Sequence, residues 1–514
     1  MGDTPPPLSL RHCLIDGHID MQRYTAYRRK KNRRQAQTNG LKSIVQMKYK
    51  KNITTISIIK RKPRSIKKHR LWIRENDGQL RELKYTDTLW YLFYLKEPPR
   101  NNRLRKQFRN RFRIPYDKFL ELVDNISHHE LFKRWTRCDC TKAPSSSIQM
   151  LLLGTLRYIG RAHTFDDIEE ASAISRETHR QFFNVFLEYG STVLYRMHVT
   201  DAMKNTPISE FEDLFASAGF NGCIGSTDAT HVGMLSCASW AAIAHKGHKL
   251  NIPSRSYNAT VSHCRQILGT TCGHPSTWND KSIILYDELV RGVHEGEVFD
   301  NYTFKLLERD KDNKIYEVEY SGVWFMVDNG YLNWSCTVPP VKDGVTYKLI
   351  RFSEWLESMR KDVECTFGIM KGRFCILRYG VRMESIERCD QLWATCCALH
   401  NMLLFVDGLN KGWKEGKTSE WEKSNNEFNK KFKGRFAINR LYGSQNQREN
   451  DAAREESNPI QKQDFDKYIV DGKRVVKLMP LAIFQERLVE HFDIRYKQKS
   501  IVWPARLSKP TTFV

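Results

Sequence analysis

Two patterns of apolar and polar residues divide the chain. Between 145 and 198 the spacing predicts a succession of helices, SSSIQMLLLGTLRYIG, TFDDIEEASAI and SRETHRQFFNVFLEYGSTVLYRM, with Ser147, Thr164 and Ser175 placed as N-caps. From Ala218 the apolar residues gather into short β-like runs, GCIGST, YNATVSHC, QILGTTC and YSGVWFMV, with the helical stretch DKSIILYDELVRGV among them. A long helix is expected over SEWLESMRKDVECTFGIMKGRFCIL. There Val363, Phe367, Met370 and Phe374 make one apolar stripe, and Glu364, Gly368 and Lys371 lie on an adjacent face. Strands that precede and alternate with helices predict a mixed α/β domain ending near Leu409. Beyond Gly408 the chain turns polar, and SQNQRENDAAREESNPIQKQ reads as a linker before a short apolar segment at 475 to 490. The expected organisation is a basic arm over 1–85, a helical domain over 86–205, the α/β domain over 206–410, and a linker and tail over 411–514.

Charge adds a partner to this outline. The 514 residues hold 83 Lys and Arg against 59 Asp and Glu, a net charge of +24, and a polyanion such as nucleic acid is the implied partner. The excess is N-terminal, since residues 1–113 hold 30 basic and 8 acidic residues. From Met21 to Arg74 there are nineteen Lys or Arg and no acid, which reads as a mostly disordered arm for phosphate binding or nuclear import, or as a solvated tail. A second run, RNNRLRKQFRNRFRIP, interleaves Phe108 and Phe112 with arginines and serves equally as a helix with one wet face or as a DNA contact. The opening MGDTPPPLSL lacks an apolar export core, and the most apolar stretch is cut by Arg157 short of the roughly 18 residues of a membrane span. No membrane partner is expected. Thirteen cysteines without a CxxC pair suit reduced thiols.

Within the helical segment, helix, short helix, turn and Ser-initiated helix suit a helix-turn-helix that would turn Arg176, His179 and Arg180 toward a groove. A packing module without DNA is the competing reading, and Asp166, Asp167, Glu169 and Glu170 count against the middle helix lying on phosphates. Cys138 and Cys140, with His128 and His129, lack the spacing of a zinc knuckle. Cys396, Cys397 and His400 sit on an apolar helix, where burial explains them.

Three acids stand out by context: Asp228 directly after GCIGST, Asp328 after VWFMV, and Glu364 within the last helix. A carboxylate at the end of a buried strand lies where open α/β sheets place their sites. Three converging carboxylates can hold two divalent ions about 3.5 to 4 Å apart, an arrangement suited to phosphodiester chemistry. Oxygen-only donors favour Mg²⁺ or Mn²⁺. Solvated or strand-capping acids are the plainer reading.

The blocks IGSTDATHVGM, SRSYNATVSHCRQILGTTCGHPSTWNDKSI, FMVDNGYLNW, VECTFGIMKGRF and LHNML resemble, in order, the catalytic domain of Harbinger-type DDE transposases and the nucleases derived from them. The resemblance spans roughly Asn221 to Leu404. Ala229 stands where that family often has Gly. The resemblance implies an RNase H-like fold, strand cleavage and strand transfer in the nucleus at transposon ends in double-stranded DNA, and two Mg²⁺ or Mn²⁺ ions on Asp228, Asp328 and Glu364. It also implies a Myb-like accessory protein, with assembly into a homo-oligomer left open. Beside this triad, Lys371 and Arg373 are candidate phosphate contacts, His231 a phosphate contact or structural histidine, and Asp280 a supporting group or helix cap. A non-catalytic DNA- or protein-binding factor descended from a transposase is the alternative, and a metal-dependent phosphatase or RNase would leave the basic arm without a role.

Overall fold

The computed structural model describes residues 14–15, 18–19, 72–74, 79–137, 145–341, 346–412 and 466–504. The chain divides into two compact units, 1–68 and 69–514. In the first, Leu14–Ile15 and His18–Ile19 pair as antiparallel strands. Most of the expected basic arm, Cys138, Cys140 and the linker over 413–465 lie outside the described residues.

In the second unit a short antiparallel pair, Trp72–Arg74 with Leu80–Glu82, precedes helices α1 (Asn102–Phe112), α2 (Tyr116–His128), α3 (Ile148–Arg161), α4 (Phe165–Ser172) and α5 (Arg176–Tyr189). All three expected N-caps form: Ser147, Thr164 and Ser175 accept from the backbone N–H of Met150, Asp167 and Thr178. Asp167 also accepts from the Thr164 N–H, so an aspartate completes a capping box that usually takes Glu or Gln. In α1 the aromatic residues decide the packing. Phe108 and Phe112 are buried in a ring cluster with Tyr94, Tyr116 and Phe119, which makes this basic run a core helix with a charged outer face.

Helix α6 (Ile208–Ser217) leads into the central sheet. Strand β1 (Cys223–Gly233) pairs antiparallel with β2 (Ser254–Val261), which pairs antiparallel with β3 (Ile267–Thr270). After helix α7 (Glu288–Glu295) comes a hairpin of β4 (Thr303–Arg309) and β5 (Ile315–Ser321). Then β6 (Trp324–Met326) joins β1 in parallel and β7 (Thr337–Val338) joins β6 in parallel, giving the order β7-β6-β1-β2-β3 with His274–Pro275 also on β2. Helices α8 (Tyr347–Arg373) and α9 (Ile386–Val406) follow. The protein is thus mixed α/β, and the four strand-like runs of the sequence became β1, β2, β3 and β6.

Side chains alternate across the sheet as strand geometry requires. Trp324 and Met326 of β6 bury against Phe352, Trp355 and Met359 of α8, while Phe325 enters the opposite core with Phe211 of α6 and Val290 and Val293 of α7. Further along α8 the stripe Val363, Phe367, Met370 and Phe374 is buried with Tyr257, Ala259 and Val261 of β2. The same core runs on through α9 into α1 to α5, so the helical segment expected as a domain over 86–205 shares its interior with the sheet.

The C-terminal region departs most from expectation. Rather than ending as a tail, residues 466–504 add strand β8 (Lys473–Val475), parallel to β5, and helix α10 (Leu481–Lys497). Phe492 of α10 stacks on Phe220 with centroids 5.3 Å apart and meets Phe352 and Trp355 of α8 edge-on. Among the described residues no helix is long and apolar enough to cross a membrane, and the described cysteines are free thiols.

Candidate active site

Asp228 is the sixth residue of β1, which runs on to Gly233; the sequence placed it at a strand end. The strand that ends here is β6, two residues before Asp328. Phe325 and Met326 pair with Gly225 and Ser226, and continuing that parallel register brings Asp328 alongside Asp228. The Asp328 carboxylate accepts the Gly330 N–H at 2.7 Å, closing the turn after the strand. The approach is close: a Cβ on Gly330 would lie 2.9 Å from Asp328 Oδ1 and 3.1 Å from Asp280 Oδ2, so a larger residue there would displace the carboxylates. Asp280 therefore belongs to the acidic cluster. The helix cap suggested for it falls to Asn279, whose side chain accepts from the Ser282 N–H.

A buried hydrogen-bond chain braces this turn from below. The Tyr331 hydroxyl donates to Asn258 at 2.6 Å, Asn258 donates to Asp287 at 2.6 Å, and Asp287 accepts the Val290 N–H at the start of α7. Buried networks of this kind fix one arrangement of backbone when every member is satisfied.

Glu364 comes from α8, and Arg360, one turn earlier, joins it to the strands. Its guanidinium donates to Asp228 Oδ2 at 3.3 Å and to Oε1 of both Glu357 and Glu364 at 3.0 Å. Arg360 is itself buried, its side chain 8 % exposed, whereas that of Glu364 is 51 % exposed. Burial raises the Asp228 carboxyl to about 6 despite the opposing pull of Arg360 and of the Ala229 N–H, and the charges of Asp328 and Glu364 push the same way as burial. Burial and then Asp328 likewise raise Asp280, against Lys249. Burial lowers the Arg360 guanidinium, but its three carboxylates outweigh this and leave it above its ordinary value. Sequence reading missed Arg360 altogether, although carboxylates three before and four after an arginine in a helix are a visible signal of a clasp.

Beside this cluster, Lys371 donates to the Thr230 hydroxyl at 2.7 Å and to the His231 carbonyl at 3.1 Å, and burial lowers it to about 8. It pins the far half of β1. The His231 ring has two buried nitrogens with no protein partner, and burial with nearby Lys249, Lys371 and His248 holds it neutral, near 4.

Other candidate contacts lie elsewhere. His179 is buried beneath Gly154 and bonds Ser172 at 2.7 Å, with burial lowering it to about 3. It packs α5 against α3 and α4 instead of facing a groove. Arg373 is buried beside Asp407 at 3.6 Å, so it is a core ion pair instead of a phosphate fork. Arg176 and Arg180 are exposed but paired with Asp166 and Glu177, and the Arg176 N–H at the start of α5 is taken by Glu169. Acids thus cover the end of α5 that a helix-turn-helix would present to DNA. Cys396, Cys397 and His400 are buried on α9, with His400 against the Arg265 carbonyl.

The donor set is all hard oxygen and already encloses a cation, the Arg360 guanidinium, which suits a divalent ion of the Mg²⁺ or Mn²⁺ type. Among the described residues, no three His, Cys, Asp or Glu side chains lie close enough together to hold one ion as they stand. Glu364 is bonded instead to the Arg360 guanidinium.

No curated protein and no solved structure matches the chain. Residues 198–408, which carry Asp228, Asp280, Asp328, Arg360 and Glu364, match the family model described as plant transposon protein, so this part of the chain is transposase-related.

Proposed function

We propose that the chain is a metal-dependent DNA transposase or endonuclease of the Harbinger type, acting in the nucleus, with an RNase H-like catalytic domain. The observation that carries this reading is the meeting of Asp228 and Glu364 on Arg360, with Asp328 level with Asp228 on the neighbouring parallel strand. The sheet order, with three antiparallel strands followed by two parallel ones, supports the fold named. The transposase-related segment supports DNA as substrate.

On this reading Asp228, Asp328 and Glu364 would hold two Mg²⁺ or Mn²⁺ ions, which would supply charge stabilisation at the scissile phosphate and a more acidic attacking water. Water adds to phosphorus as the bond to the 3′-oxygen breaks, leaving a 5′-phosphate and a 3′-hydroxyl that takes the proton; that hydroxyl can then attack a phosphate of target DNA, breaking its bond to the target's 3′-oxygen, which leaves as a hydroxyl with the attacking group's proton. The chain's own residues set the geometry. The Gly330 turn and the Tyr331–Asn258–Asp287 chain orient Asp328, and Arg360 holds Glu364 until a cation competes for it.

The test is nicking of supercoiled plasmid by the full-length protein. Mg²⁺ or Mn²⁺ should support it and Ca²⁺ should allow binding only; Asp328→Asn should bind without nicking. Binding without nicking in every metal would favour the non-catalytic factor.

A further inference from the structure

The segment from Met234 to Pro253 joins β1 to β2 beside the site described above. It contains the short helix Ser239–Ala242, anchored by the buried Ala241. Trp240 and Ile243, three residues apart and so on one side of that turn, are 78 % and 86 % exposed. Neighbouring large apolar side chains left this open mark a contact surface more often than chance exposure does.

The segment is held firmly. Met234 donates its N–H to Pro253 at 2.7 Å, Leu235 to Val381 at 2.8 Å, and Gly247 to the Ser276 hydroxyl at 2.9 Å, while the Thr277 hydroxyl donates to the Ala244 carbonyl at 2.9 Å. Ser276 and Thr277 lie just ahead of the helix that begins with Asp280, so the segment is fixed beside the acidic cluster. Its far end reaches the cluster as well, since Lys249 interacts electrostatically with both Asp280 and His231.

Charge selects the occupant. Residues 229–279 contain no Asp or Glu, and Lys246, His248 and Lys249 are exposed on this segment. A second copy of the chain would cover the apolar pair alone, whereas a polyanion with apolar faces suits the pair and the lysines together. Nucleic acid has this combination, stacked bases between phosphates.

We propose that this segment is a DNA clamp, in which Trp240 and Ile243 pack against bases of an opened strand beside the acidic cluster while Lys246 and Lys249 take the flanking phosphates. The proposal rests on the DNA-acting reading above and adds to it where and how an unpaired strand is held. Stacking and charge give separable signatures. An aromatic–base contact neutralises no phosphate, so it adds affinity without salt dependence; each lysine on a phosphate adds about 0.7 to 0.9 to the slope of log K against log salt.

The experiment is a salt titration of binding by the full-length protein, without divalent metal, to a fluorescent duplex with a single-stranded 3′ tail and to the same duplex blunt-ended. Trp240→Ala should weaken binding to the tailed duplex by about 5- to 150-fold with an unchanged slope, and weaken the blunt duplex less. Trp240→Phe should keep most of the affinity. Lys246→Ala with Lys249→Ala should lower the slope by about 1.4 to 1.8. Because these side chains are exposed, the urea midpoint of each variant should match wild type, which separates a lost contact from a lost fold. Equal affinity of wild type and Trp240→Ala for the tailed duplex would overturn the clamp and leave the DNA-acting reading standing. So would a Trp240→Ala variant that binds DNA normally but no longer self-associates. Failure of the wild type to bind either duplex would overturn both.

Discussion

Replacing Asp228 by asparagine removes a charge from a place where the fold resists it, and the consequence for stability can be worked out before any activity is measured. Burial, aided by Asp328 and Glu364 and opposed by Arg360, raises this carboxyl from an ordinary 3.8 to about 6. A carboxyl raised by folding stabilises the native state while it is protonated. That contribution is fully present below pH 3.8 and is lost as pH rises through 6. With each tenfold change in proton affinity worth about 1.4 kcal/mol, the ionised side chain costs the metal-free protein on the order of 3 kcal/mol at pH 7.5, about 1.6 at pH 5 and about 0.6 at pH 4. Asparagine keeps nearly the same shape and can still accept from Arg360, but cannot ionise. Asp228→Asn should therefore unfold at higher urea than wild type in EDTA at pH 7.5, and the two curves should converge as pH falls toward 4. A variant no more stable than wild type at pH 7.5, or an advantage that does not change with pH, would refute the burial and crowding of charge on which the candidate site rests.

Arg360→Ala leaves three carboxylates without their common partner and should cost on the order of 1 to 3 kcal/mol, the figure held down by the half-exposed Glu357 and Glu364. Its loss should grow with pH, because Asp228 then rises further; urea unfolding at pH 5 and 7.5 checks this. Phe492→Ala should cost about 3 to 5 kcal/mol by leaving a void among Phe220, Phe352 and Trp355, measured by the same method. Deleting residues 1–68, which hold 18 Lys and Arg, should leave 69–514 folded and lower the salt slope of DNA binding by several units if the arm lies on phosphates. Deleting to residue 113 should instead unfold the protein, because Tyr94, Phe108 and Phe112 go with it.

Local pattern carried the central sheet and the helix starts into view. GCIGST and YSGVWFMV are apolar enough to read as strands, and a Ser or Thr ahead of an apolar periodicity marks a cap wherever it occurs. What failed depended on distance along the chain. The hairpin β4–β5 alternates Phe304 and Leu306 with charged residues such as Lys305, and the sequence reading assigned no strand to TFKLLERDKDNKIYEVE. Its inner face is covered by α10, which begins 160 residues after the hairpin ends, and nothing local announces that partner. The arginines of α1 and of MKGRF drew attention to charge where neighbouring aromatics and Asp407 decide their burial. Strand neighbours are likewise not a local property: Asp228 and Asp328 were each legible as a strand-associated acid, but their alignment follows from the parallel pairing of β6 with β1.

The central claim is that Asp228, Asp328 and Glu364 hold divalent metal together, and counting Mn²⁺ bound to the full-length protein by electron paramagnetic resonance tests it most directly. Wild type should bind Mn²⁺ in competition with Mg²⁺, with a stoichiometry of about two per chain. Asp228→Asn, Asp328→Asn and Glu364→Gln should each lose at least one ion, while Asp166→Asn, remote in the helical segment, should lose none. Undiminished Mn²⁺ binding in all three cluster variants would contradict the account.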